Sequence, residues 1–250
     1  MIDELSWVYL LIVIICAMCI GVTKTGLPTL GILVTATMAS IFPARESIGI
    51  VLPMLLFADV IAVTYYRRSV NWKTLLSLLP WVLGGLIAGY FLLYSIEESR
   101  PIEIILGTII LTLMALQMVK ERYGQKWLEH LPDSKVFIGI MGTLAGFTTM
   151  VGNAAGPIMS IFLIAIALPK KEFIGTGAWF FLAVNLIKIP MYAQLGLITS
   201  ETLFFNLWLI VPILVGAYLG IKFLSLIPEK YFQVIILILV TVGGLRLLLG

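Results

Sequence analysis

The sequence predicts an all-α, polytopic membrane protein: about ten transmembrane or partly crossing helices in two inverted five-helix repeats. Three observations carry that expectation. The chain of 250 residues is 61% hydrophobic and only 12% charged, with a mean hydropathy of +1.11, more apolar surface than a water-soluble domain can hide. Its apolar residues fall into ten runs with short breaks, where about 20 apolar residues cross a bilayer. The second half of the chain also repeats features of the first in order.

The runs, taken in order, are 5–20, 28–42, 48–66, 75–94 and 102–119, then 136–151, 158–168, 173–193, 203–224 and 231–249. The second and seventh are too short to cross upright, and whether they cross fully is left open. The polar stretch 120–135 is the one clear linker. The expected division is a first repeat over 1–121, a cytoplasmic linker over 122–135 and a second repeat over 136–250. Each short run follows a glycine-rich, proline-closed segment, GVTKTGLPTLG at 21–31 and GFTTMVGNAAGP at 146–157. Irregular backbone at membrane depth is tolerated where it is buried in protein or lines a polar cavity. Paired broken segments in two halves point to a transporter's binding site.

The repeat can be followed residue by residue. Pro43, Glu46, Ile48, Gly49, Ile61 and Tyr66 match Pro169, Glu172, Ile174, Gly175, Ile187 and Tyr192. In the same register Asp59 meets Asn185, and further on Pro80 and Gly84 meet Pro212 and Gly216. Five runs per half is an odd number, so the second half enters the membrane upside down. The basic residues agree with this. With the N-terminus outside, ten of the 16 lysines and arginines fall in inner loops and only Arg45, Arg100 and Arg246 on the outer side, as cytoplasmic loops prefer. Both termini are expected outside a plasma membrane. Asp3 and Glu4 stand where a signal peptide would be basic.

Few polar side chains lie at membrane depth, and these are the candidate site residues. Lys24 stands in the first broken segment between Thr23 and Thr25, either as an anion ligand or as a lysine snorkelling to the inner surface. Asn185, Lys188 and Tyr192 make one polar stripe on the eighth run, because residues three and four apart share a helix face. Lys188 reads as an anion ligand or as the structural partner of Asp59. Asp59 is the one deep carboxylate, either a proton carrier, since loss of water favours its neutral form, or a fixed counter-ion. Asn153 in the second broken segment can donate to an anion or cap the run that follows, and Thr148 and Thr149 are weaker candidates of the same kind. Glu46 and Glu172 read as helix-start residues and Lys222 as a snorkeller. Cys16 and Cys19 give neither a disulfide framework nor a metal signature, and the single histidine, His130, lies in the polar loop. No metal or cofactor is expected.

The broken glycine/proline segments, the short runs after them and the Phe-Pro or Leu-Pro turn followed by a glutamate resemble the TauE/SafE family of sulfite exporter-like membrane permeases, over essentially the whole chain. The resemblance implies transport of a sulfur-containing anion such as sulfite, thiosulfate or an organosulfonate, mostly outward. The residues themselves read as a secondary transporter of a small anion working by alternating access, with proton coupling through Asp59 open. The absence of a Walker motif argues against direct use of ATP. An anion channel is the alternative. A membrane-embedded enzyme would need a nucleophile, a metal cluster or paired carboxylates in the spans. Expected partners are the anion and membrane lipid, without nucleic acid, and with homo-oligomerisation left open.

Overall fold

A computed structural model describes residues 6–25, 30–123, 135–166, 168–223, 238 and 241–249. Among these, every regular element is a helix. The order is α1 (Trp7–Thr25), α2 (Leu30–Ile41), α3 (Ala44–Tyr66), α4 (Trp72–Ser95), α5 (Ser99–Tyr123), α6 (Lys135–Gly152), α7 (Gly156–Ala165), α8 (Lys170–Gln194) and α9 (Ser200–Phe223). A further helical segment spans 241–249. Six of these helices, α1, α3, α4, α6, α8 and α9, are long and apolar enough to cross a membrane. The short pair, α2 and α7, have 12 and 10 residues; at about 1.5 Å per residue they are roughly 18 and 15 Å long, against a hydrocarbon core of about 30 Å. Most of the polar linker, 124–134 with His130, lies outside the described residues, as do 231–237 and 239–240 of the tenth run.

The two glycine-rich segments differ from their expected form. Helix α1 continues through Gly21 to Thr25, and α6 continues through Gly146 to Gly152. The second break is confined to 153–155. Tertiary contact explains why glycines sit inside helices here. A side chain on Gly21 would run into the backbone of α9 at Ile213 and Gly216, and one on Gly216 into the backbone of α1 at Met18. In the same way Gly146 lies on α4 at Val82, and Gly85 lies on α6 at Thr143. Small residues let apolar helices approach to backbone contact, which is what drives helix association in lipid. The cost of glycine in a helix, about 1 kcal/mol, is offset by that approach.

Helix α3 is the most enclosed of the six spans. It lies between α8 and α9 and also touches α1, α2 and α5. Aromatic side chains such as Trp81, Phe91, Phe204 and Trp208 point outward on α4 and α9, as Trp7 and Leu11 do on α1. The loop ahead of α4 is tied to the start of α8: Asn71 caps α4 by accepting from the Thr74 N–H, and its amide donates to Glu172 at 2.9 Å. Glu172 is therefore a helix-start residue with a structural partner.

Neighbouring glycines in α4 give a sharp check on this packing. Gly85 is in backbone contact with α6, while Gly84 faces open space. Gly85→Ala should lower stability by about 1–3 kcal/mol through overpacking. Gly84→Ala should be neutral or stabilising by up to about 1 kcal/mol through helix propensity. Thermal unfolding of the two variants in the same detergent would show it; equal stabilities would mean that the α4–α6 contact is not a close one.

Candidate functional site

The site forms where the last turn of α1, the middle of α3, the middle of α8 and the link between α6 and α7 meet. Asp59 on α3 is completely buried. Lys24, from the last turn of α1, places its ammonium 2.7 Å from Asp59 Oδ1. Its side chain is only 8% exposed, so it does not snorkel. The face of Phe181 covers the same ammonium at 4.0 Å from the ring centroid, a favourable cation–π position. The other Asp59 oxygen, Oδ2, accepts from Asn185 Nδ2 at 2.6 Å. The two positions matched across the sequence repeat are thus in direct contact.

Lys188 occupies the next step of the α8 stripe and is fully buried. Its partner is not Asp59. Its ammonium donates to Thr149 Oγ1 and Asn185 Oδ1, each at 3.3 Å, and to Asn153 Oδ1. All three acceptors are neutral. Asn185 therefore stands between Asp59 and Lys188 and gives each the end of its amide that it needs. Asn153 is held in turn: its backbone takes the left-handed conformation, φ 54°, which asparagine tolerates better than most residues. Its Nδ2 donates to the Ile48 carbonyl of α3 at 3.1 Å. That turn ends α6 and aims the amide oxygen at Lys188.

A cavity of about 110 Å³ opens beside this network. Its polar wall carries Thr23, Lys24, Thr149, Asn153, Ser160 and Asn185, and its apolar wall includes Leu163, Phe173, Ile174 and Phe181. A water needs only about 10–15 Å³ of such space, so several waters or one small anion fit. Gly156 and Pro157, the first turn of α7, also line it. First-turn N–H groups have no acceptor within their own helix, and with the aligned helix dipole they favour a negative ligand.

Of the residues singled out from sequence, Thr23, Lys24, Thr149, Asn153 and Asn185 line the cavity. Lys188 sits behind them, in contact through hydrogen bonds. Tyr192 is further back; its hydroxyl donates to the Met150 carbonyl at 2.6 Å, and its ring lies 5.1 Å from the Lys188 ammonium. Thr148 turns away and donates to the Leu144 carbonyl of its own helix. The side chain of Thr25 lies outside the described residues. Among the cavity residues that the sequence reading missed, two stand out. Ser160, 8% exposed, is the one hydroxyl in the apolar sequence of α7 and falls one turn after Gly156, a signal that was there to be read. Phe181 has no such signal, because its meeting with Lys24 depends on how α1 and α8 pack. Among the described residues no group of His, Cys, Asp or Glu is placed to hold a metal.

The network brings two lysines and one carboxylate together beside a cavity. No curated protein and no solved structure matches the chain. A family model, that of the sulfite exporter TauE/SafE family, matches residues 12–247. A match across nearly the whole chain, on helices built to cross a membrane, identifies this protein as a member of the sulfite exporter TauE/SafE family of membrane transporters.

Proposed function

We propose that this protein is a plasma-membrane secondary transporter that moves a small sulfur-containing anion, such as sulfite, thiosulfate or an organosulfonate, outward by alternating access. The observation that carries this reading is the gathering of two buried lysines and one carboxylate beside a cavity. Lys188 is enclosed with only neutral acceptors around it, and Lys24 presents its ammonium to the same space. Burying a lone cation costs several kcal/mol, and an anion entering the cavity relieves part of that cost. Asp59 serves as a fixed counter-ion to Lys24, one of the two roles open to it from sequence. Thr23, Thr149, Asn153, Asn185 and Ser160 supply the hydrogen-bonding groups around the anion. Tyr192 stiffens the Lys188 side of the site.

Two inverted repeats support a rocking mechanism of this kind. We assign α1–α5 to the first repeat and α6 onward to the second. Reciprocal packing favours the assignment: α1 lies on α9 and α6 on α4, each through a pair of glycines. Likewise Gly49 of α3 abuts Leu197 ahead of α9, and Gly175 of α8 abuts Ser69 ahead of α4. With the termini outside, the cavity walls come from the cytoplasmic ends of α1 and α8, so this conformation faces inward. The outer half of α3 is packed shut by Asn153, Asn206 and Leu197.

Orientation can be checked with single cysteines in a background lacking Cys16 and Cys19. Ser200→Cys should react with a membrane-impermeant reagent added outside intact cells, and Lys171→Cys should not. The opposite pattern would invert the assignment.

Binding is tested with purified protein, sulfite, thiosulfate and small sulfonates, read as thermal stabilisation. Lys188→Met should weaken the best ligand roughly ten- to a hundredfold, the loss of one charge-assisted hydrogen bond of about 1.5–3 kcal/mol. Lys24 is best removed together with its partner, as Lys24→Met/Asp59→Asn, because a buried pair tolerates joint neutralisation better than loss of one member. The double variant should show a similar loss. Lys222→Ala, at the exposed end of α9, should bind as wild type. Wild-type affinity in both site variants would place the anion elsewhere.

A carrier and a channel differ in proteoliposomes. Anion loaded on one side should accelerate uptake of labelled anion from the other, with saturation. Flux that rises linearly with concentration and shows no counterflow would make the protein a channel.

A further inference from the structure

The cavity is polar at one end and apolar at the other. Two of its walls, α7 and α8, each change character along one face. On α7 the lining runs from Gly156 through Ser160 to Leu163, and on α8 from Asn185 through Phe181 and Gly177 to Ile174. These spacings of three and four keep each set on one side of its helix. The polar ends meet, because Asn153, just ahead of α7, and Asn185 share Lys188 Nζ as a hydrogen-bond partner. The apolar ends meet as well. A methyl group on Gly177 would lie 3.8 Å from Leu163 Cδ1, an ordinary van der Waals contact, and would meet no other neighbouring element within 4 Å. Asn185 and Gly177 are eight residues apart on α8, about 12 Å along its axis. Gly177 also differs from the glycines of the helix walls. Two residues earlier, Gly175 abuts the Ser69 backbone and has no room for a side chain. At Gly177 no neighbour requires the missing methyl, and the space it leaves belongs to the cavity. Since glycine weakens a helix interior, packing gives no reason for it there.

We infer that the ligand lies lengthwise in this cavity, with its anionic group at the Asn153–Asn185 end and a short aliphatic substituent at the Leu163–Gly177 end, and that Gly177 sets the size of that substituent. The inference rests on the anion-carrier reading above and narrows its substrate class to organic anions with a short apolar tail, in preference to inorganic oxoanions. An inorganic oxoanion is polar on every side. Seated at the polar end, it leaves Leu163, Phe173 and Ile174 uncovered. An aliphatic tail covers them, and the gain grows with the apolar area removed from water. Apolar walls with a few polar groups that fix orientation are the usual build of a site for a small organic ligand. Gly177 is then a specificity-determining residue, because a methyl group at that position takes up the room of part of the tail.

The probes are the straight-chain alkanesulfonates from methanesulfonate to butanesulfonate. All carry the same head group and the same single charge, so only the tail varies. Binding to the purified protein is measured by thermal stabilisation and confirmed by calorimetry. In wild type, affinity should rise about three- to fourfold per methylene from methanesulfonate to propanesulfonate. An affinity that stays flat or falls along the series overturns the inference. Gly177→Ala should bring the ratio of propanesulfonate to methanesulfonate affinity back near unity, through overpacking of the tail. A ratio that stays at the wild-type value or rises overturns the inference. Gly84→Ala adds the same methyl to open space on α4 and should keep the wild-type ratio; a fall equal to that of Gly177→Ala would overturn the assignment to the cavity. Leu163→Val shortens the facing side chain and decides the matter independently should Gly177→Ala fail to fold. It should raise butanesulfonate affinity relative to propanesulfonate, and an unmoved preference overturns the inference. A folded wild type that binds none of these sulfonates, nor sulfite or thiosulfate, overturns the carrier reading as well. Anion binding without dependence on tail length overturns the apolar subsite alone.

Discussion

One amide holds the polar centre of this protein together. Asn185 offers its nitrogen to Asp59 and its oxygen to Lys188, so a carboxylate and an ammonium are both satisfied by a neutral group between them. Without that amide, Asp59 and Lys188 would each have to find another partner in a region where water is excluded. An unsatisfied buried charge costs several kcal/mol, more than any single helix contact here can return. The crossing of α3 over α8 is therefore fixed by chemistry as well as by packing. Every other feature of the site is positioned from that crossing: the turn at Asn153, the reach of Lys24, and the cavity beside them.

The frame that presents α3 and α8 to each other is apolar and close-packed. Helices α1 with α9, and α6 with α4, meet through glycines at backbone distance. In lipid, association gains little from burying apolar surface, since lipid tails are themselves apolar, and depends on contact area and fit. Glycine pairs maximise that fit. The two helix pairs act as rigid side walls, and the shorter, polar-bearing elements lie between them. This division separates stability from binding. The walls can be tight because they carry no ligand, and the centre can carry charge because the walls do not need it.

Much of this was legible in the sequence. The α8 stripe followed from spacing alone, because Asn185, Lys188 and Tyr192 recur at helical intervals in an otherwise apolar run. Asp59 and Asn185, which share a register in the two halves of the sequence, turned out to be in physical contact. The glycine-rich segments were harder. Glycine is read locally as a break, yet Gly21 and Gly146 lie inside helices because a neighbouring helix needs their missing side chains. That is tertiary override of a local propensity. The partner of Lys24 was likewise out of reach: the lysine lies in the last turn of α1, and only the packing of α1 beside α3 turns it inward to Asp59 instead of outward to the surface. Phe181 shares that fate.

The short helices explain why a site can exist at this depth at all. A helix that crosses the whole membrane satisfies its own backbone and exposes only side chains there. Helix α7 begins inside the protein at Gly156 instead, with proline at the next position, where a missing N–H costs nothing. Its first turn, Gly156 and Pro157, lines the cavity. Helix α2 contributes Gly31 and Ile32 to the opposite wall. Shortening two helices thus creates the polar ends, and the lysines, amides and hydroxyls collect around them because no other place in the bundle offers them partners. Among the described residues Lys24 has a carboxylate partner, whereas Lys188 has only the neutral oxygens of Thr149, Asn153 and Asn185 around it.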